Sequence, residues 1–237
     1  MQLYLIRHAE SGNNAVPTYQ RSEDPSITSV GRLQAEHLGN WIKTLRFDAM
    51  ITSPFRRTLE TTRTVLQANS KPSDVRIWDS VFERGGCYRG WNASNVAGAR
   101  GMGRSEILNE LSDVVGTLTI DETIGETGWW GEQPRETDDA AIERTGIVAE
   151  RLVREFGGDG KGSSENGQSP VIVMVTHADF KRLLLSRLLD SKADAMRFGP
   201  LRNTGVTRLN YAKNQWQLDI LNSVTHLPAR LITGNEH

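Results

Sequence analysis

The run Leu5-Ile6-Arg7-His8-Ala9-Glu10-Ser11 opens apolar and stops on an arginine followed by a histidine. A neutral imidazole is a competent nucleophile toward phosphorus, and the neighbouring guanidinium offers a planar, permanently charged fork that phosphate oxygens accept. Alone, an Arg-His pair reads more simply as a surface arginine beside a packed histidine. A second run, Val173-Met174-Val175-Thr176-His177, also delivers a histidine at its carboxyl end. Ligands of open α/β sheets bind outside the carboxyl ends of the strands, so His8 and His177 would face one pocket if their strands are neighbours. A third run, Asp48 to Thr52, leads into Ser53-Pro54-Phe55-Arg56-Arg57 and would bring an arginine near the same edge. After a fourth comes Val81-Phe82-Glu83-Arg84, with a carboxyl group. Singly, Arg56 and Arg57 read as solvated helix charges, Glu83 as a loop acid and His177 as a cap. Their recurrence at one edge points to phosphoryl-transfer chemistry.

The elements that must position these groups alternate short apolar strands with longer stretches of helical period, the α/β pattern. Thr28 reads as the N-cap of a helix with Leu38, Trp41, Ile42 and Leu45 on one face. Ser53-Pro54 is expected to start the next helix, with Pro54 tolerated in the first turn, and a strand is expected near Val75 to Trp78. Residues 85–136 are rich in glycine and polar groups, with one short helix near Ser105 to Leu111. Thr137-Asp138-Asp139 opens a helix carrying Ala141, Val148, Leu152, Val153 and Phe156 and ending at Gly157-Gly158. Gly157 to Ser169 is Gly/Ser-rich and expected to be a mobile surface loop. Pro170 introduces Val171 to Val175 as a buried central strand, followed by a helix through Leu183, Leu184, Leu188 and Leu189. Val206 to Tyr211 and Trp216 to Leu221 are expected to form a hairpin.

The 237 residues, 37% hydrophobic, suffice for a real core, read here as one domain. Lys plus Arg (28) nearly balance Asp plus Glu (29), so the net charge of -1 gives no global field for nucleic acid or an anionic membrane. Any basic site must be local. Cys87, the one cysteine, excludes an internal disulfide framework and fits a reducing, cytoplasmic setting. No signal peptide is expected, since Met1 to Ile6 lacks a basic leader, and no run approaches transmembrane length. Without secretion, the glycosylation-like Asn92-Ala93-Ser94 is a chance match.

Five segments together resemble the histidine phosphatase superfamily, with its phosphoglycerate mutase-like fold. They are Arg7-His8-Ala9-Glu10-Ser11 with Asn14, Thr28-x-x-Gly31-x-x-Gln34-Ala35, Thr52-Ser53-Pro54-Phe55-Arg56-Arg57-Thr58, Glu83-Arg84 and Thr176-His177, and a supporting pattern reaches Asn203-Thr204. The resemblance implies a three-layer α/β/α sandwich with a mostly parallel central sheet and an antiparallel edge strand. It further implies one domain over residues 1–237, with an insertion at about 85–136 forming part of an active-site cap. Ala9 replaces the glycine usual after the nucleophile, and Ala178-Asp179 follow His177 where glycine is common. Carried over by position, His8 would be the nucleophile and Arg7, Arg57 and His177 would hold the phosphoryl oxygens. Arg57 fits that alignment better than Arg56. Asn14, Ser11 and Arg84 would bind substrate, and Glu83 would be the general acid. To stay protonated at neutral pH, Glu83 needs burial or an anionic neighbour. No metal and no cofactor is implied.

The activity so implied is phosphomonoester hydrolysis through a phosphohistidine on a small phosphorylated metabolite. Mutase-type phosphoryl transfer and a catalytically idle phosphate-binding module are the alternatives. Residues 85–136 lack the mutases' Tyr-plus-paired-Arg and proline-rich pattern, and Gly128-Trp129-Trp130-Gly131 is unlike it, which favours hydrolysis. His8, His177, Asp179 and Glu83 are also metal-ligand types, but their spacing has no local signature. Arg84, Arg89, Arg100 and Arg104 read either as selectors of a second anionic group or as surface charges. Trp129 and Trp130 read either as a stacking surface for substrate or as packing of the insertion on the core. Gly98-Ala99-Arg100-Gly101-Met102-Gly103 is no dinucleotide fingerprint, and no P-loop occurs.

Overall fold

The computed structural model describes residues 1–69, 73–90, 92, 94–157, 169–190 and 198–234. From the amino end the chain forms β1 (Gln2–Arg7), α1 (Gly12–Ala15), α2 (Ser29–Ile42), β2 (Ala49–Thr52), α3 (Arg56–Asn69) and β3 (Asp74–Ile77). There follow β4 (Tyr88–Arg89), β5 (Ala97–Gly98), α4 (Arg104–Leu111), β6 (Thr117–Ile120), α5 (Asp138–Phe156), β7 (Val171–Thr176), α6 (Ala178–Leu188), β8 (Val206–Ala212) and β9 (Gln215–Ser223).

Seven strands form one sheet in the order β6-β3-β2-β7-β1-β8-β9, parallel from β6 to β1. The β8–β9 hairpin closes the other edge antiparallel. Alternation along the strands sorts side chains onto two faces. Tyr4, Ile6, Met50, Val75, Val173 and Val175 join Leu38, Ile42, Leu59 and Val65 of α2 and α3 on one side. Leu3, Leu5, Ile51, Ile172 and Met174 join Val148, Leu152, Leu184, Leu185 and Leu188 of α5 and α6 on the other. Each fully buried aliphatic side chain contributes roughly 1.5–3 kcal/mol, and helices on both faces are what a parallel sheet requires.

Both expected caps form: the Thr28 side chain accepts the Gly31 N–H and that of Thr137 accepts the Ala140 N–H. Leu45 lies beyond the end of α2, yet still packs partly buried against the core. The third helix begins at Arg56, so Pro54 precedes it rather than occupying its first turn. Between residues 85 and 136 the chain leaves the sheet as the β4–β5 ribbon and α4, then returns as β6 beside β3. The sequence reading named no strand there, because Thr117-Leu118-Thr119-Ile120 is short and largely solvent-facing. Residues 158–168, most of the expected surface loop, lie outside the described residues. Among the described residues no helix is long and apolar enough to cross a membrane.

Candidate active site

Strands β1 and β7 pair with Arg7 beside Thr176, so His8 and His177 leave the sheet side by side. Their rings meet edge-on with centroids 5.2 Å apart. The loop after His8 is held from three directions. The Thr28 hydroxyl donates to the Glu10 carboxylate at 2.7 Å, and Gln34 accepts the Glu10 N–H at 2.8 Å. Gly31 is required because a β-carbon there would collide with the Glu10 carbonyl oxygen. The Thr61 hydroxyl accepts the Ala9 N–H at 3.0 Å and donates to the Arg57 carbonyl at 2.6 Å, which ties the loop to α3. Asn203 donates its amide to the His8 carbonyl at 3.0 Å. The motif around Thr28 is thus a backbone clamp on the Arg7-to-Ser11 segment.

The two imidazoles are held differently. His8 Nδ1 lies 2.7 Å from the Ala9 carbonyl oxygen, and a carbonyl only accepts, so Nδ1 carries the proton and Nε2 the lone pair. Burial, then the charges of Arg57 and Arg7, hold its pKa well below the ordinary histidine range. His177 places Nε2 2.9 Å from Ser53 Oγ, while its buried Nδ1 has no hydrogen-bond partner among the described residues. Burial first, then Arg57 and His8, lower its pKa likewise. Both rings are therefore neutral at neutral pH, and that of His8 has its lone pair on Nε2.

Arg7 and Arg57 supply the positive charge. Arg7, 5% exposed, donates from Nη1 to the Leu201 carbonyl at 2.8 Å. The Arg57 guanidinium lies 3.9 Å over the Phe55 ring and pairs only at 3.8 Å with Asp24. Its Nη1 is buried and makes no hydrogen bond among the described residues. A buried donor left so costs about 1–3 kcal/mol, which a bound anion would offset. Asp24 accepts the Arg56 N–H at 2.9 Å, and burial, opposed by Arg57, pushes its pKa up to about 6.

Glu83 reaches the same cavity from the loop after β3. Its Oε1 accepts the N–H groups of Arg84 at 2.9 Å and Phe180 at 3.0 Å, so it rests on the first turn of α6. Burial, then the charge of Asp179, raises its pKa against those hydrogen bonds. This is the direction expected of Glu83 from the sequence.

These groups converge on a cavity of about 380 Å³ whose walls include Arg7, His8, Ser11, Asn14, Arg57, Glu83 and Arg84. His177 lies behind the wall, against His8 and Phe55. The Asn14 Oδ1 accepts from the Ser11 N–H and hydroxyl, both at 3.1 Å. Arg89, Arg100 and Arg104 are not in the wall. Arg100 pairs with Glu106 at 2.8 Å, and Arg104 donates to the carbonyls of Ile120, Asp121 and Ile124. Trp129 and Trp130 are each 7% exposed and pack on Phe82, with Trp129 also against Phe55, so they belong to the core. Among the described residues no three His, Cys, Asp or Glu side chains gather as a metal-binding group.

The sequence reading did not single out Arg21, Tyr88, Arg135 and Arg182, which line the cavity. Nor did it find Asp24 and Thr61, whose contacts join segments far apart in the chain, and it named Asn203 only as the end of a supporting pattern. Arg144 left a signal: an arginine on the buried stripe of α5, between Ala141 and Val148.

A model of the histidine phosphatase superfamily (branch 1) matches residues 3–113 and 113–224. The chain belongs to that superfamily. It is 27% identical over 236 residues to a protein named probable phosphoglycerate mutase GpmB from Klebsiella pneumoniae subsp. pneumoniae, covering 97% of this chain and 96% of that one. The protein of the same name from Salmonella arizonae is 26% identical over the same spans. Among solved structures, the alpha-ribazole phosphatase from Shigella flexneri superposes with a TM-score of 0.63 at 22% identity, over 94% of this chain and 96% of that one. The phosphoserine phosphatase from Entamoeba histolytica, solved with phosphoserine, gives 0.61 at 21% identity, over 96% and 99%.

Proposed function

We propose that this protein is a phosphomonoester hydrolase that works through a phosphohistidine at His8 on a small phosphorylated metabolite. The observation that carries the reading is the His8 ring: neutral, locked with its proton on Nδ1, and opening Nε2 beside the buried Arg57. In this reading the phosphoryl oxygens take hydrogen bonds from Arg7, Arg57 and Asn14, His177 joins them by exchanging its Ser53 contact for the anion, and Ser11 and Arg84 contact the rest of the substrate. Fixed donors of this kind suit phosphoryl transfer, where charge spreads over the equatorial oxygens. His8 Nε2 attacks phosphorus, the P–O ester bond breaks, and Glu83 gives its proton to the leaving oxygen. Glu83 then takes a proton from water as that water attacks phosphorus, the P–N bond breaks, and phosphate departs. Residues 85–136 cap the cavity through Gly86, Tyr88, Gly90, Val96 and Arg135, within a single domain. No step calls for a metal, so turnover should survive strong chelators.

Mutase-type transfer is the second reading, favoured by the printed name of the relatives from Salmonella and Klebsiella. A screen of sugar phosphates, phosphoglycerates, nucleotides and phosphopeptides, with and without bisphosphoglycerate, separates the two. Phosphate release from monoesters without added bisphosphoglycerate supports hydrolysis. Interconversion of phosphoglycerates with no net phosphate release supports the mutase, and no turnover on any of them overturns both.

A further inference from the structure

One buried ion pair outside the cavity is unused by the mechanism above. Arg144 on α5 and Glu136, the acid just before that helix, form a bidentate pair with both nitrogen–oxygen distances 2.7 Å. Their side chains are 10% and 8% exposed. The Arg144 guanidinium is stacked 3.5 Å from the Phe82 ring centre and 4.9 Å from that of Phe180. A surface helix would not spend a buried arginine on stability alone, because a buried pair usually contributes less than apolar packing of the same volume.

The remaining contacts of the pair all fall on one short stretch of backbone. Arg144 Nη1 donates to the Ser80 carbonyl at 2.8 Å and the Phe82 carbonyl at 3.1 Å. Glu136 accepts the Gly85 N–H at 3.3 Å, and its own N–H donates to the Gly85 carbonyl at 3.1 Å. The residues gripped on either side enclose Glu83. The Glu83 carboxyl is meanwhile held from above by the N–H groups of Arg84 and Phe180. Phe180, whose N–H holds Oε1, also offers its ring to Arg144, so one guanidinium braces both the acid's loop and the helix turn on which the acid rests.

We propose that Arg144 and Glu136 are positioning residues that hold the Glu83 carboxyl at the leaving oxygen and fasten the end of the 85–136 segment to it. The proposal rests on Glu83 being the proton donor, and the test separates the two claims. Proton donation matters for alkyl phosphates, whose leaving alkoxide needs a proton, and little for nitrophenyl phosphate, whose leaving group does not. Glu83→Gln is the reference, and Arg144→Lys and Glu136→Gln are the probes, each measured for kcat and KM on both substrate types. A misplacement on the ångström scale should cost alkyl phosphate turnover roughly tenfold or more in kcat, with little change in KM. Phosphorylation of His8 by nitrophenyl phosphate, read as kcat/KM, should fall less than about threefold, since that step depends little on the acid and the later water attack, in which Glu83 is the base, is common to both substrates. In the double variant Glu83→Gln/Glu136→Gln, the second change should add almost nothing, because its effect runs through the acid already removed.

Equal losses on both substrates, or a full additional loss in the double variant, would overturn the positioning role. If Glu83→Gln itself treats the two substrates alike, the proton-donor reading fails instead. Glu136→Gln preserves shape and supplies the same comparison should Arg144→Lys not fold. The variant Glu136→Gln/Arg144→Met removes both buried charges together and should keep the same selective loss.

Discussion

The ends of β1 and β7 carry the same residue at the same register, and they part company over what holds each ring. His8 gives its Nδ1 proton to the carbonyl of the next residue, Ala9, a partner that no side-chain substitution removes. His177 sets Nε2 against a side chain, 2.9 Å from the hydroxyl of Ser53 just after the neighbouring β2, and keeps Nδ1 without a hydrogen bond among the described residues. Strand pairing brings two imidazoles together. A carbonyl, which only accepts, fixes the His8 proton on Nδ1, whereas the Ser53 hydroxyl, which donates or accepts, fixes no single tautomer of His177. Their pKa values fall for the same leading reason, burial, with Arg57 the next cause for both.

The largest effect that tests this contrast is on His8. His8→Ala should lower turnover by at least about 10⁴-fold and abolish acid-labile labelling by a phosphorylated substrate. His177→Ala should cost less, about 10²- to 10³-fold in kcat, while slow labelling of His8 persists. Labelling that survives in His8→Ala and vanishes in His177→Ala would exchange the two roles.

A pH profile sharpens the same contrast at smaller amplitude. In the proposed mechanism Glu83 acts protonated, and its pKa is raised, so activity should be retained below that folded-state value and fall as pH rises through it. The alkaline fall should therefore disappear in Glu83→Gln. Both histidines are shifted downward, so neither should add a limb through the ordinary histidine range. An acid limb near pH 6.5 that moves in His177→Ala would show that this ring titrates in function. Ser53→Ala should have the smallest effect, roughly three- to tenfold in kcat, since one neutral hydrogen bond contributes about 1 kcal/mol. The result expected there is a loss confined to turnover, with labelling still directed to His8.

Much of this is legible in the sequence. The run ending at Arg7-His8 and the one ending at Thr176-His177 are apolar enough to be recognised as buried strands, and buried strands of an α/β sheet end where ligands bind. Thr28 and Thr137 were readable as caps because a hydroxyl before a helical period has one common use. β6 was not readable, since its alternating Thr117-Leu118-Thr119-Ile120 is too brief for periodicity to stand out from the loops around it. The start of α3 was misplaced because Pro54 tolerates a first turn without requiring one. Trp129 and Trp130 announced a large aromatic area and not where it would lie.

The order of residues already names the groups that are available: two histidines and two arginines at or after apolar runs, an acid after another, and a net charge that makes any anion site local. Folding in three dimensions adds that β1 lies beside β7, that the Ala9 carbonyl sets the His8 tautomer, and that Glu136 and Arg144 grip the loop carrying Glu83. Composition and spacing are properties of the chain taken in order. Desolvation, hydrogen-bond partnership and pKa depend on which distant residues share a space, and for these groups that is set when the sheet assembles.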